Sequence, residues 1–170
     1  SCTVKVVSLP DLATATADYV DEYGVNHGKG IAIGSTVWAP VNCGYKAATI
    51  DGANPDKGFP YGKLYQWGRK YGQGYSADSD SESSITPGPV TYQIGQHKDM
   101  AGYFFTCESD WIDIQDDSMW NSGTEDAPVK TANDPCPSGW RVPTYSELNV
   151  LITDHSDWTT NDGQIGYYCS

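Results

Sequence analysis

Residues 134–148 restrict the chain's options more than any other stretch: Asp134-Pro135-Cys136-Pro137-Ser138-Gly139-Trp140-Arg141-Val142-Pro143-Thr144-Tyr145-Ser146-Glu147-Leu148. Pro137 fixes φ in a tight turn that Gly139 closes, so the chain reverses and delivers Trp140 to the interior as an anchor. Pro143 then precedes Thr144-x-x-Glu147, a capping-box pattern in which hydroxyl and carboxylate satisfy backbone donors reciprocally. A helix is expected from Tyr145. Leu148, Leu151 and Ile152 share one face of it, and that face needs a sheet or another helix as cover. Taken alone, these residues build a fold and carry no chemistry.

Two further elements follow from local pattern. Ile31 and Ile33 alternate, Gly34-Ser35 has the Gly-first form of a two-residue II′ turn, and Thr36-Val37-Trp38 resumes, so a hairpin is expected, ended by Pro40. Leu64, Trp67, Gly68 and Tyr71 recur at i, i+3, i+4 and i+7, which predicts a helix face stopped by Gly72. Upstream, residues 3–9 read as a strand. Leu12, Ala15, Tyr19, Val20 and Tyr23 fall at helical spacing up to Gly24, with an irregular connector as the alternative.

The remainder is punctuated by turns. Residues 45–60 form a loop through Asp51-Gly52, Asn54-Pro55 and Lys57-Gly58. Residues 73–100 form a long acidic loop, nearly all Ser, Asp and Glu over 76–84, in which Pro87-Gly88-Pro89 argues against regular structure. An aromatic strand is expected within 101–106, a turn at Asn121-Ser122-Gly123, another at Asn161-Asp162-Gly163, and a last strand from Ile165 to Cys169.

No residue set specifies catalysis. His27, His97 and His155 lack a local nucleophile signature such as Gly-x-Ser-x-Gly, and His27, beside Gly28, reads as a structural loop histidine. Asp78, Asp80 and Glu82 alternate like calcium ligands, but Ser83 and Pro89 stand where a calcium loop needs Gly and Glu. Asp113, Asp116, Asp117, Glu125 and Asp126 have no ligand spacing and read as exposed acidic loops, so neither a metal nor another cofactor is expected.

Five cysteines without a Cys-x-x-Cys pair disfavour zinc. Cys43 and Cys136 each adjoin a fold motif and are the first candidate disulfide pair, with Cys107 and Cys169 next; the pairing stays open. Cys2 reads as an ordinary residue of an internal segment in preference to a lipid-attachment site. A net charge of −12 sets aside nucleic acid and anionic membranes as partners. No apolar run reaches transmembrane length. Six Trp and twelve Tyr compensate for a modest apolar content of 38%.

Three blocks carry a family resemblance: Ile33-Gly34-x-x-Val37-Trp38-Ala39-Pro40-Val41-Asn42, Tyr61-Gly62-Lys63-Leu64-Tyr65-Gln66-Trp67, and Cys136-Pro137-x-Gly139-Trp140-Arg141-x-Pro143-Thr144 with Glu147 and Leu148. In order and spacing they resemble the Fibrobacter succinogenes major paralogous domain, a family of surface proteins of Bacteroides-type bacteria. The resemblance implies an α+β, C-type-lectin-like fold with two helices and a small twisted antiparallel sheet, related to that of formylglycine-generating enzymes. Residues 1–23 would be an N-terminal strand and connector, and 24–170 the N-terminal portion of the domain. Trp38, Leu64, Trp67, Cys136, Trp140, Pro143, Thr144 and Glu147 would be its structural residues.

The family's domain runs on beyond the stretch that matches residues 166–169, so the last strand is expected to lack a partner here. The function implied is a non-enzymatic, cell-surface or pilus-tip adhesin that binds a glycan or protein through its loops. The alternatives are a structural fimbrial subunit and an oxidoreductase similar to formylglycine-generating enzymes. Those relatives use a late cysteine pair with copper, a region absent from this chain.

Overall fold

In a computed structural model, the described residues are 16–49, 58–59, 61–73 and 85–154, with the backbone of two late strands. Among them the protein is a small mixed α/β structure of six short strands in three two-stranded sheets and two helices. Strands β1 (Ile31–Ile33) and β2 (Thr36–Trp38) form an antiparallel hairpin, β3 (Ile85–Pro87) pairs in parallel with β4 (Phe104–Thr106), and β5 (Ser156–Thr159) is antiparallel to β6 (Gly166–Cys169). Helix α1 (Tyr92–Gly95) and a 3-10 turn (Lys98–Met100) lie between β3 and β4, and α2 (Tyr145–Asp154) precedes β5. The single antiparallel sheet expected is thus replaced by three ribbons, one of them parallel.

The two strongest local signals fold as expected. The hairpin pairs Ile31 with Trp38 and Ile33 with Thr36, and Gly34 takes φ 59 at its turn. In the signature turn, Trp140 N donates to Pro137 O at 3.0 Å and Gly139 takes φ 83, a region other residues rarely adopt. Trp140 is buried against Tyr19, ring edge to face, with centroids 5.6 Å apart. The capping box is closed both ways: Glu147 N donates to Thr144 Oγ1 at 3.3 Å, and Thr144 N donates to Glu147 Oε2 at 2.9 Å. Helix α2 contacts β5 and β6, while Leu148 is exposed and Leu151 and Ile152 are half-buried.

Four expectations are corrected. Residues 61–73 contain no helix: Gly62 (φ 78) and Gly68 (φ 77) break the helical path, and Leu64, Trp67 and Tyr71 are exposed. The inward side chains are instead those of Arg69 and Gln73. A Cβ at Gly68 would sit 2.3 Å from Met119 Sδ, so the close approach expected there is real, against a loop. Residues 16–23 are also non-helical. Asp21 Oδ1 accepts from Tyr23 N and Val25 N, both at 2.9 Å, and Tyr19 and Val20 pair with the chain returning through Asn26, His27 and Gly28.

The segment 85–100, expected to be loop, holds β3, α1 and the 3-10 turn. Pro87 is tolerated because it ends a short strand with a single partner, where its missing N–H leaves no ladder gap, and Gly88 N resumes donation to Thr106 O at 2.8 Å. Finally, the last strand does have a partner: β6 folds back on β5, with Trp158 opposite Tyr167 and Ser156 opposite Cys169. The expected strand at 3–9, residues 50–57 of the expected loop 45–60, the acidic run 76–84 and its carboxylates Asp78, Asp80 and Glu82 lie outside the described residues.

The main core is Phe105, Trp111, Ile112 and Met119, with Val90, Met100 and Cys107 packed on it. Arg69 runs through it with no exposed surface. Its Nε donates to Gly95 O at 2.9 Å, its terminal nitrogens to Met100 O at 2.8 Å, Gln66 Oε1 at 3.3 Å and Tyr103 O, and its guanidinium lies 4.6 Å from the Phe105 ring centre. A buried cation is tolerated only when its donors are satisfied. Here one side chain ties residues 66–73 to 95–105, and burial pushes its pKa down to about 10.

Candidate functional site

Above the Arg69 core opens a cleft of about 710 Å³ between residues 66–67 and the loop 105–117. Its apolar wall is Trp67, 43% exposed, with Phe105 and Trp111 behind; Asp110, Gln115 and Asp117 supply its rim. Trp67 is anchored at its main chain and at its ring: its backbone carbonyl accepts from Trp111 Nε1 at 2.6 Å, and its indole meets Trp120 edge to face, 4.9 Å between centroids. Trp120 is itself pinned by Nε1 donating to Arg69 O at 3.1 Å. Gln66 seals the base: its Nε2 donates to Phe105 O at 2.7 Å and its Oε1 accepts from Phe105 N at 3.0 Å.

The rim is equally ordered. Asp110 Oδ1 accepts from Trp111 N at 2.7 Å, Cys107 donates its thiol to Asp110 O at 2.6 Å, and Asp117 Oδ1 accepts from Gln115 Nε2 at 2.9 Å. A flat apolar face bordered by carboxylates and an amide can stack on a sugar ring or an aromatic side chain and accept hydrogen bonds from hydroxyls around it. Sequence reading places Trp67 in a buried helix face and gives no role to Gln66, Asp110 or Gln115. What it misses is that Gly68 turns the backbone and directs Trp67 outward.

A second cavity, about 260 Å³, lies between β2 and the signature turn. Trp38, half-buried, and Trp140 line it with Tyr19, Pro143, the Arg141–Glu147 ion pair, Cys43 and Cys136. Arg141 is bidentate, its two terminal nitrogens donating to Glu147 Oε2 at 2.8 Å and Oε1 at 2.6 Å. That guanidinium, with the Thr144 amide, holds the Glu147 carboxyl below the usual carboxylate range in spite of partial burial. Of the expected structural residues, Trp140 and Thr144 are buried in this region, whereas Leu64 and Trp67 are exposed.

The structure brings Cys43 and Cys136 together, as free thiols and not as a disulfide. Both line the same cavity, and Cys43 Sγ donates to Tyr65 Oη at 3.3 Å and to Pro135 O at 3.4 Å. The hydrogen bond from Cys136 pulls the Cys43 thiol down, helped by Tyr65 and opposed by burial. The same bond and burial push Cys136 up, and burial pushes Tyr65 and Tyr19 up. Asp134, buried beneath, sets the backbone of this turn: Oδ1 accepts from Cys136 N at 2.8 Å and Lys130 Nζ at 2.6 Å, and Oδ2 from Val142 N at 2.8 Å.

His27, His97, Asp116 and Glu125 are engaged locally, and His155 lies outside the described residues. His27 Nε2 and Asp21 Oδ2 are 2.8 Å apart inside the 19–28 loop, and His97 Nδ1 accepts from Asp99 N. Asp116 accepts from the Ser118 amide and hydroxyl, and Glu125 from Ser146 N at the start of α2. Among the described residues no three His, Cys, Asp or Glu side chains gather as metal ligands, and no helix is long and apolar enough to cross a membrane. Compared with protein-family models, with curated proteins and with solved structures, the chain matches none.

Proposed function

We propose that this protein is a non-enzymatic, cell-surface or pilus-associated binding module, adhesin-like, whose C-type-lectin-like scaffold presents the Trp67 cleft to an extracellular glycan. The observation that carries this reading is the exposed indole of Trp67, packed edge to face on Trp120, its backbone fixed by Trp111, and bordered by Asp110, Gln115 and Asp117. A ring held rigid before binding loses little entropy when a ligand stacks on it. The net charge of −12 favours neutral or amino sugars over sialylated and sulfated ones. The resemblance of the 33–42, 61–67 and 136–148 blocks to surface-protein domains supports the extracellular setting.

The test is a glycan array followed by titration of the strongest neutral hit, read by tryptophan fluorescence. Trp67→Ala should weaken binding by about 2 kcal/mol or more, some 30-fold, with the fold intact by circular dichroism. Unchanged affinity in that variant, or an array that lights only with anionic glycans, refutes the reading. A structural fimbrial subunit is the second reading. It is favoured by the β1–β2 ribbon, which among the described residues has no third strand, leaving edges that another subunit's strand can pair. Filament growth without ligand would support it.

A further inference from the structure

We infer that Cys43 and Cys136 form a thiol–disulfide exchange centre that takes small disulfides of the cystine class, with Cys43 as the attacking sulfur. Three observations carry it. The two residues come from segments far apart in the chain, and the fold sets them on one cavity wall, with Cys43 Sγ donating at 3.4 Å to Pro135 O, the carbonyl that precedes Cys136. Each is anchored by its backbone: Lys63 N donates to Cys43 O at 3.1 Å, and Cys136 N to Asp134 Oδ1 at 2.8 Å. Both line the cavity of about 260 Å³, and Cys43 also lines a second one of about 150 Å³ on the side of Tyr65, so small molecules can reach the sulfurs without unfolding.

The environment is asymmetric. Cys43 lines both cavities whereas Cys136 lines the larger one, so Cys43 is the sulfur reached from either side, and its neighbours Cys136 and Tyr65 pull its thiol down toward the thiolate, the nucleophilic form. Cys136, beside that developing charge and near Asp134, keeps its proton. In the first step the Cys43 thiolate attacks one sulfur of the external disulfide; that S–S bond breaks and the other half leaves as a thiolate, which takes up a proton. Cys136 then gives its proton to solvent and attacks Cys43 Sγ, expelling the second half as a thiol. Two protein thiols have been oxidised to one disulfide, and one external disulfide reduced to two thiols. The new bond joins the segment after β2 to the signature turn, across the wall of the cavity.

The experiment exposes the full chain to cystine, quenches with iodoacetamide at intervals and maps the cysteines by mass spectrometry. A Cys43–Cys136 crosslink that dithiothreitol reverses is expected. Cys136→Ser should accumulate a half-cystine adduct on Cys43 at least about 10-fold faster than Cys43→Ser does on Cys136, following thiolate fraction. The unmutated chain provides a control that needs no variant to fold: under limiting iodoacetamide, Cys43 should be alkylated before Cys136. Two cysteines that emerge alkylated as thiols after cystine, a crosslink to any other cysteine, a bond that dithiothreitol leaves intact in the folded chain, or faster reaction at Cys136 would each overturn the inference.

Discussion

Arg69 and Asp134 are both buried charges, 0% and 4% exposed, and they are stabilised in opposite ways. Arg69 has no carboxylate among its hydrogen-bond partners; neutral carbonyls from Gly95, Met100, Tyr103 and Gln66 surround it, and aromatic rings cover its faces. Asp134 pairs with Lys130 and takes the remaining hydrogen bonds from the amides of Cys136 and Val142. The first arrangement uses a charge as a bracket between distant segments. The second uses one to shape a single turn. A bracket fails everywhere when removed, whereas a shaped turn fails locally, and each contrast is measurable.

The largest effect should come from Arg69→Met. The variant keeps the length of the side chain but strands several buried carbonyl acceptors, so a loss of about 3–5 kcal/mol in urea unfolding is expected, with the Trp67 cleft lost as well. A loss under about 1 kcal/mol would show that the core does not depend on the bracket. Asp134→Ala should cost about 2–3 kcal/mol, leaving Lys130 and two amides unpaired, while binding at the Trp67 cleft stays within about twofold. If both variants abolish glycan binding equally, the division between bracket and turn is wrong.

The smallest effect concerns acid. Glu147 has a folded pKa held below its unfolded value of about 4.3, so its contribution is complete above that pH and is lost as pH falls through the folded pKa. Glu147→Gln should therefore be less stable than the parent at pH 6, by about 1 kcal/mol or less, and the gap should close toward pH 3. Equal pH slopes for the two proteins would remove the Arg141–Glu147 pair as a contributor. Asp21 works in the same direction: burial raises its carboxyl, but hydrogen bonds from His27, Val25 and Tyr23 outweigh that and hold it low.

Local chemistry was readable from sequence and remote pairing was not. The Pro137–Gly139 reversal, the Thr144–Glu147 box and the Gly34-Ser35 turn are specified within a few residues, and all three stand in the structure. The helix expected over residues 64–71 fails because periodicity counts apolar residues without registering that Gly62 and Gly68 adopt positive φ. The parallel pairing of β3 with β4 links residues that no short window compares, and the antiparallel return of β6 onto β5 was not anticipated either. Arg69 carried no signal, because a lone arginine in a Gly-rich stretch reads as surface. The meeting of Cys43 and Cys136 was foreseeable because each borders a motif; their state as thiols was not.

The seat of the Trp67 ring is fixed largely through main-chain atoms, its own carbonyl and that of Arg69, each capped by an indole N–H. The side chains opposite, Gln115 and Asp117, lie on an exposed stretch with no part in that seat. Ligand preference can therefore drift, or be re-engineered, by exchanging residues 113–117 as a faceplate while the socket behind them keeps its shape.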